Sequence, residues 1–489
     1  MRFLLDTNIL IPLQDSFVVL KDNLKNFIRL AQNRHQLLYH PASRRDIERD
    51  SNVDRRNRTL SRLEMYEVLD EVPECPWNTS DTPPNDACDN SILYALKCNA
   101  AHALITEDQG IHAKAREYGL SDRVYTIQAA EDWLRRLHEK NKVSLPNIED
   151  VELHTLYQEL HGEFFNSLRE DYSEFNSWFG KKSREGRHAW ICRDDQGGLG
   201  AICIYAEQTD ERITDSGKKL PGKALKLCTF KVGKSVRGRK IGELFLKASF
   251  RYATENECEH IFIHGDEEKQ RYLALLLEDF GFKSRRESYA TDTVWVKKHP
   301  LVAPSDNIEA KEFVRLYYPH YRQDKKVSKY LVPIIPAYHD ILFPDYVSEQ
   351  NIQLDLFDNQ QNHVGNAIKL AYLCASQTKS IVPGDILLFY RSQDHKEITT
   401  VGVVDDFAVS VDPAEISAKV SRRTVYSFEE IKNMAGKEIK IILFRMINHL
   451  ENPVSYQELL ERGILSGPAQ SIVKLDEQKY RCFLGISNA

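Results

Sequence analysis

Short apolar runs alternate with stretches of helical periodicity along residues 1–140. Phe3-Leu4-Leu5 reads as a short buried strand that ends in Asp6, with the amide of Asn8 two residues on. A carboxylate there sits where open α/β sheets place their ligands. Gln36–Tyr39 is a second apolar run, followed by His40-Pro-Ala-Ser43-Arg-Arg-Asp46-Ile-Glu48. Ser43 with Asp46 three residues later predicts a capping-box helix start, which puts Glu48 in the second turn. Residues 71–84 hold four prolines and are expected to be a loop. Pro84 opens another helix, which carries Asp86 and Asp89, and Ala101–Ile105 is a strand running into Thr106-Glu107-Asp108. A helix over 129–142 and Ser144-Leu-Pro146 close the first region, 1–145.

The pattern then changes. Residues 153–180 read as amphipathic helices, and 186–192 and 199–207 as a hairpin around the turn 194–198. After a polar loop, 208–219, a strand over Leu225–Val232 feeds Gly233-Lys-Ser-Val-Arg237-Gly238-Arg239-Lys240-Ile241-Gly242 and a helix over 243–254. A strand, a glycine-bearing basic loop and a helix start together make an anion cradle. The strand His260–His264 and a helix ending at Gly281-Phe282 follow, so the second region spans 150–298. Residues 299–328, with three prolines and a helical middle at 307–317, read as a linker. The third region, 329–489, has strands starting at Lys329, after Pro383-Gly-Asp385, at 399–405, 439–446 and 472–475, and an edge at 482–486.

Composition narrows the reading. A chain of 489 residues is too long for one core, so two to four domains are expected. The net charge of −6 excludes a chain that binds polyanions over its whole surface, so any nucleic-acid site must be local. One such patch is the arginine-rich stretch 44–62, where Arg44, Arg45, Arg55 and Arg56 could meet RNA phosphates or, with Asp46, Glu48, Asp50 and Asp54 interleaved, form a solvated mixed-charge face. Nine cysteines without a Cys-x-x-Cys pair fit reduced thiols and a cytoplasmic location. Met1 leads at once into a strand, so no signal peptide is expected, and no apolar run approaches the roughly 20 residues of a membrane span.

Three resemblances rest on these residues. Leu-Leu-Asp6-Thr-Asn8 and Leu-Ile-Thr106-Glu-Asp108 resemble the PIN domain, a family of metal-dependent ribonucleases with a parallel-sheet α/β/α fold. The resemblance implies that Asp6, Glu48, Asp89 and Asp108 hold catalytic Mg²⁺ or Mn²⁺, with Thr106 and Asn8 behind them. It also implies RNA as target, a toxin-like or defence role and a neutralising protein partner. The loop Arg237-Gly-Arg-Lys-Ile-Gly242 resembles the pyrophosphate loop of the GNAT acetyltransferases, an α+β family. That implies acetyl-CoA bound along Val232, Arg237, Gly238, Arg239, Lys240, Ile241 and Gly242. Two positions depart from the family: its middle glycine is Lys240 here, and the general-acid tyrosine of many relatives is Leu277. His264 and Asp266 are alternative bases, and His264 with His260 could equally be packed core. The third region resembles the PUA-like class, with its ASCH and EVE branches, small β-barrels that hold RNA or a modified base. Tyr390 and Arg391 would then clamp a base, unless they belong to the core. The leading expectation is a metal-dependent ribonuclease guided by an RNA-recognition domain. The alternatives are an acetyltransferase whose other regions bind RNA, and a regulatory binding protein without turnover.

Overall fold

The computed structural model describes residues 1–10, 18–70, 72–139, 146–236, 238–267, 269–289, 292–346, 363–364, 366–423 and 425–487. The chain divides into two compact units, Met1–Ser144 with Val409–Ile441, and Leu145–Ala408 with Ile442–Ala489. Residues 409–441, placed with the third region by the hydropathy pattern, therefore pack with the first.

Unit 1 is a parallel sheet. Its strands are β1 (Arg2–Leu5), β2 (Gln36–Tyr39), β3 (Glu67–Val68), β4 (Ala103–Ile105) and β5 (Val124–Tyr125), in the order β3-β2-β1-β4-β5. Central β1 pairs in parallel with β2 and β4, which is why Phe3, Leu4 and Leu5 form an unbroken apolar run rather than an alternating one. Helices α1 (Val18–Ala31), α2 (Pro41–Glu48), α3 (Val53–Leu63), α4 (Pro84–Lys97), α5 (Gln109–Glu117) and α6 (Ile127–His138) surround it. Phe3 meets the rings of Phe27 and Trp133 at 5.6 and 5.4 Å. The strand order reverses between β1 and β4, so the ends of those two strands flank the crevice where doubly wound sheets bind. One expectation fails locally: Ser43 is not the cap of α2. The helix starts at Pro41, His40 accepts from the Ala42 amide through Nδ1 at 3.0 Å, and Ser43 is buried within the first turn. Proline at the first helical position fixes this start because its φ is already helical and its missing N–H costs nothing there.

Unit 2 holds two sheets. The first comprises β6 (Asn147–Glu152), β7 (His188–Arg193), β8 (Leu199–Thr209), β9 (Lys223–Val232), β10 (His260–Gly265), β11 (Lys283–Tyr289), β12 (Asp292–Lys298) and the short His363–Val364, in the order β11-β12-β10-β9-β8-β7-β6 and then 363–364. Helices α7 (Asn166–Asp171), α8 (Phe175–Arg184), α9 (Ile241–Glu255) and α10 (Arg271–Asp279) accompany it. Neighbours β9 and β10 run parallel, but their ladder ends at Leu227 and Ile263. Past that point Cys228 is an extra residue in the β8–β9 pairing, and β9 runs on to Val232 against β8. A bulge bends a strand away from its neighbour, so β9 and β10 part just before the glycine-bearing loop.

The supposed linker is not a spacer. Its helix α11 (Ala310–Tyr317) buries Phe313 and Val314, and the Arg315 carbonyl lies 2.4 Å from where a Cβ on Gly281 would stand. The second sheet contains β13 (Lys329–Ile334), β14 (Lys369–Cys374), β15 (Ile386–Arg391), β16 (Glu397–Ser410), β17 (Ile439–Ser455) and β18 (Val473–Leu475), in the order β14-β17-β16-β15-β13-β18. The expected edge strand at 482–486 is instead part of helix α12 (Glu477–Ser487), whose Tyr480 and Phe483 are buried three residues apart, at helical spacing. One continuous core joins Leu277 and Phe280 to Leu331, Ile386, Leu388 and Tyr390. Among the described residues, no helix is long and apolar enough to cross a membrane.

Candidate active sites

In unit 1 the ends of β1 and β4 carry Asp6 and Thr106. Asp6 accepts from the Thr7 amide at 2.7 Å and from the Thr106 hydroxyl at 2.7 Å. The Asn8 amide donates to Thr106 at 3.2 Å, and the Asp108 N–H donates to the same hydroxyl at 2.9 Å. Asp108 also caps α5, accepting from Gly110 and Ile111 at 2.6 and 3.1 Å. Burial pushes Asp6 up to about 6, against its hydrogen bonds and with help from the charge of Asp108. Burial likewise pushes Asp89 up to about 6, Lys114 opposing and Asp6 and Asp108 adding repulsion. Asp6, Asp89 and Asp108 thus share one field.

Glu48 does not join them. It lies exposed on α2 and pairs with Arg44 at 3.1 Å. Helical spacing explains this: Glu48 is four residues from exposed Arg44, whereas Asp46 is three and four from buried Ser43 and Ala42. Burial above all pushes the Cys88 thiol up, and the charges of Asp46, Asp6 and Asp89 add to it, so Asp46 is the α2 carboxylate on the inner side. Among the described residues, no three His, Cys, Asp or Glu side chains are placed to hold one ion. The cation beside Asp86 and Asp89 is instead Lys114, at 2.7 and 3.4 Å. The arrangement therefore does not fit Mg²⁺ or Mn²⁺ as a cage.

The arginine-rich stretch is largely exposed, and part of it is paired internally. Arg55 is bound to Asp50, which it holds down at about 2, and Arg56 donates to the Asp50 carbonyl at 3.0 Å; Arg45 is exposed. Of the two residues expected at a base, the structure favours the core alternative for Tyr390. Tyr390 is 3% exposed within the core, and Arg391 is held by Asp394, Asp340 and His339.

In unit 2 the parted strands lead into the cradle. Val232 ends β9; Lys234–Val236 make one tight turn; Arg237 lies outside the described residues. Gly238 has φ +89°, and Lys240 stands in the left-handed region at φ 61°, ψ 23°, immediately before Ile241 opens α9. That conformation suits glycine, and lysine adopts it only at a cost of roughly 1–2 kcal/mol. The Lys240 ammonium donates to the Lys369 carbonyl at 3.0 Å, while Arg239 pairs with Asp195 at 2.7 Å. A Cβ on Gly242 would stand 2.8 Å from Leu276, so glycine permits a close approach of α9 to α10. The first-turn amides of α9 point out of the helix, with its positive dipole end behind them. These groups fit an anion such as a pyrophosphate.

The catalytic groups are less complete. Leu277 is buried, and Tyr272 is exposed on the turn before it. His264 holds the Ile213 carbonyl through Nε2 at 3.0 Å, and burial lowers its pKa, so it is neutral near pH 7. His260 is likewise lowered by burial. The Asp266 side chain accepts from the Lys269 amide at 3.1 Å.

Two features of unit 2 escaped the sequence pattern. A cavity of about 980 Å³ lies beside the outer face of α9, with Trp190, Lys247, Arg251, Tyr318, Asp345 and His449 in its walls. Behind it runs a buried chain: His339 to Thr399 at 2.8 Å, Thr399 to Thr400 at 3.1 Å, and Thr400 to His449 at 2.8 Å. Thr399 is the extra residue of a bulge in β16, which turns two adjacent hydroxyls towards each other. The only sequence signal was the Thr-Thr pair itself.

Residues 150–282 match the model of the acetyltransferase (GNAT) family. No curated protein matches the chain. Among solved structures, the chain is similar to an acetyltransferase of the GNAT family from Staphylococcus aureus Mu50, with 16% identity over 32% of this chain and 99% of that one and a TM-score of 0.23. It is also similar to ASCH from Zymomonas mobilis, with 12% identity over 33% of this chain and 96% of that one and a TM-score of 0.24.

Proposed function

We propose that the protein is an acetyltransferase that takes its acetyl group from acetyl-CoA at the junction of β9, β10 and α9. The observation that carries this reading is the parting of β9 and β10 past Leu227, next to a helix start preceded by residues in left-handed conformation. Bound acetyl-CoA would supply an activated thioester. The amides and dipole of the first turn of α9 hold its pyrophosphate. Past Leu227, the β9 edge facing β10 offers main-chain groups to the amides of an extended ligand, as a strand edge does to a peptide. Leu277 donates no proton, so a departing thiolate would take its proton from water or the acceptor. Neutral His264 is a candidate base, with Nε2 committed to Ile213 and Nδ1 left to accept a proton.

Calorimetric titration with acetyl-CoA tests the reading. The parent protein is expected to bind, and Gly242→Glu, which sets a carboxylate against the pyrophosphate and a side chain against Leu276, is expected to abolish binding. A parent protein that does not bind coenzyme A removes the assignment.

A second reading rests on a separate observation, the shared field of Asp6, Asp89 and Asp108 at the strand-order reversal of unit 1. On this reading unit 1 cleaves RNA, in keeping with its PIN-like motifs, and would need a restraining partner in the cell. Purified protein is incubated with total RNA. Asp6→Asn is expected to slow any cleavage by orders of magnitude; equal rates for variant and parent would end this reading.

A further inference from the structure

Residue Lys369, at the start of β14, touches both helices that border the proposed coenzyme cleft. Its carbonyl accepts from the Lys240 ammonium at 3.0 Å, and its N–H donates to the Glu243 carboxylate at 2.5 Å. Lys240 and Glu243 are the residue before α9 and one in its first turn. The Lys369 ammonium reaches the other helix, pairing with Asp279 at the end of α10, whose carboxylate Arg445 of β17 also holds, at 3.3 Å. Further along α9, Lys247 donates to Asp345 at 2.6 Å and to the Asn366 carbonyl at 3.2 Å. Lys240, Glu243 and Lys247 lie three and four residues apart, so one face of α9 is fastened to the segment around 366–369.

We propose that Lys369 is a positioning residue for coenzyme binding: the second sheet of unit 2, through Lys369, fixes the start of α9 against the end of α10. The inference rests on the acetyl-CoA reading above. It accounts for Lys240 in a glycine-like conformation. The bond to the Lys369 carbonyl fixes where the Lys240 ammonium stands beside the helix start. It also accounts for Glu243. A carboxylate in the first turn competes with a bound anion for the same dipole, and the Lys369 N–H holds it to one side. Lys369 itself does not belong to the anion cradle, so changing it separates positioning from direct contact.

The test compares two ligands: coenzyme A, which carries the pyrophosphate, and pantetheine, which does not. Lys369→Pro removes the N–H given to Glu243 at a strand start, where proline is tolerated. Lys369→Met removes the tie to Asp279 and keeps both main-chain bonds. In calorimetry each variant is expected to weaken coenzyme A about tenfold, within the usual range of coupling between sites, and to leave pantetheine unchanged. Lys369→Arg, which keeps the charge, is expected to restore most of the affinity. Equal losses for both ligands would mean a general structural role and overturn the proposal, as would unchanged coenzyme A affinity in Lys369→Met. A parent that binds pantetheine and coenzyme A equally would overturn it too, while leaving a thioester site in place. A parent that binds neither removes the acetyl-CoA reading and this inference with it.

Discussion

His35 and His138 face each other in unit 1 with ring nitrogens 2.8 Å apart. Burial, with nearby positive charge, lowers His35 to about 3 and His138 to about 4. The unfolded chain takes up these protons near the ordinary value of about 6.5, well before the fold does. The pair therefore contributes its full stability above pH 6.5 and loses it as pH falls towards 4. A melting series over pH 4–7 should show the midpoint of unit 1 dropping with acid. His138→Phe, which keeps a ring against Phe428, should flatten that slope; an unchanged slope would show that other groups govern it. Tyr390→Ala should cost about 3 kcal/mol or more, the usual penalty for emptying a large buried site, and leave RNA affinity unchanged. A loss of RNA affinity without loss of melting temperature would return Tyr390 to the surface role.

At the level of elements, periodicity is what separates useful residues from neighbours of the same type. On α2 a shift of two residues turns a carboxylate from the Asp46 side to the Glu48 side. Under the nuclease reading, Asp46→Asn should lower RNA cleavage and Glu48→Gln should leave it unchanged; the reverse order would mean that α2 turns its other face to the site. The turn after α10 is equally position-bound. Gly281 has φ +81°, and a Cβ there would stand 2.4 Å from the Arg315 carbonyl. Gly281→Ala should therefore destabilise unit 2 by about 2 kcal/mol or more, since both backbone strain and a main-chain clash oppose it. Thermal melting of the two units would show the loss in one and not the other.

Across the whole molecule, hydropathy boundaries and folding boundaries differ. The GNAT-matching region and the carboxyl-terminal sheet share one core, in which Leu277 and Phe280 pack with Leu331, Ile386 and Leu388. A chain ending after Gln323 removes the part of that cluster that runs from Val327 to Phe483. It is expected to leave unit 2 without fixed packing, seen as lost near-ultraviolet dichroism and gained binding of a hydrophobic dye. A soluble 1–323 chain with a sharp, independent melt for residues 150–298 would show that the two sheets fold separately. Residues 409–441 impose a similar constraint, because unit 1 draws them from late in the chain.

Local rules made much of this legible in sequence. The apolar run at 3–5, the acids at 6 and 108, the helix over 243–254 and the strands at Lys329, after Asp385, at 399–405 and at 439–446 follow from burial and period alone, whereas β14 gave no such signal and 482–486 proved helical. The cradle was legible too, because a strand, a positive-φ glycine and a helix start are neighbours in the chain. What only tertiary structure decided depends on residues far apart in sequence. Lys114 reaches Asp86 from a different helix, Lys369 meets Glu243, and the Thr399 bulge joins His339 to His449. No local pattern encodes such pairings, since they are fixed by which faces pack together. The same holds for Tyr390 and Glu48: an aromatic or a carboxylate has one chemistry, and only packing determines whether it meets solvent, core or site.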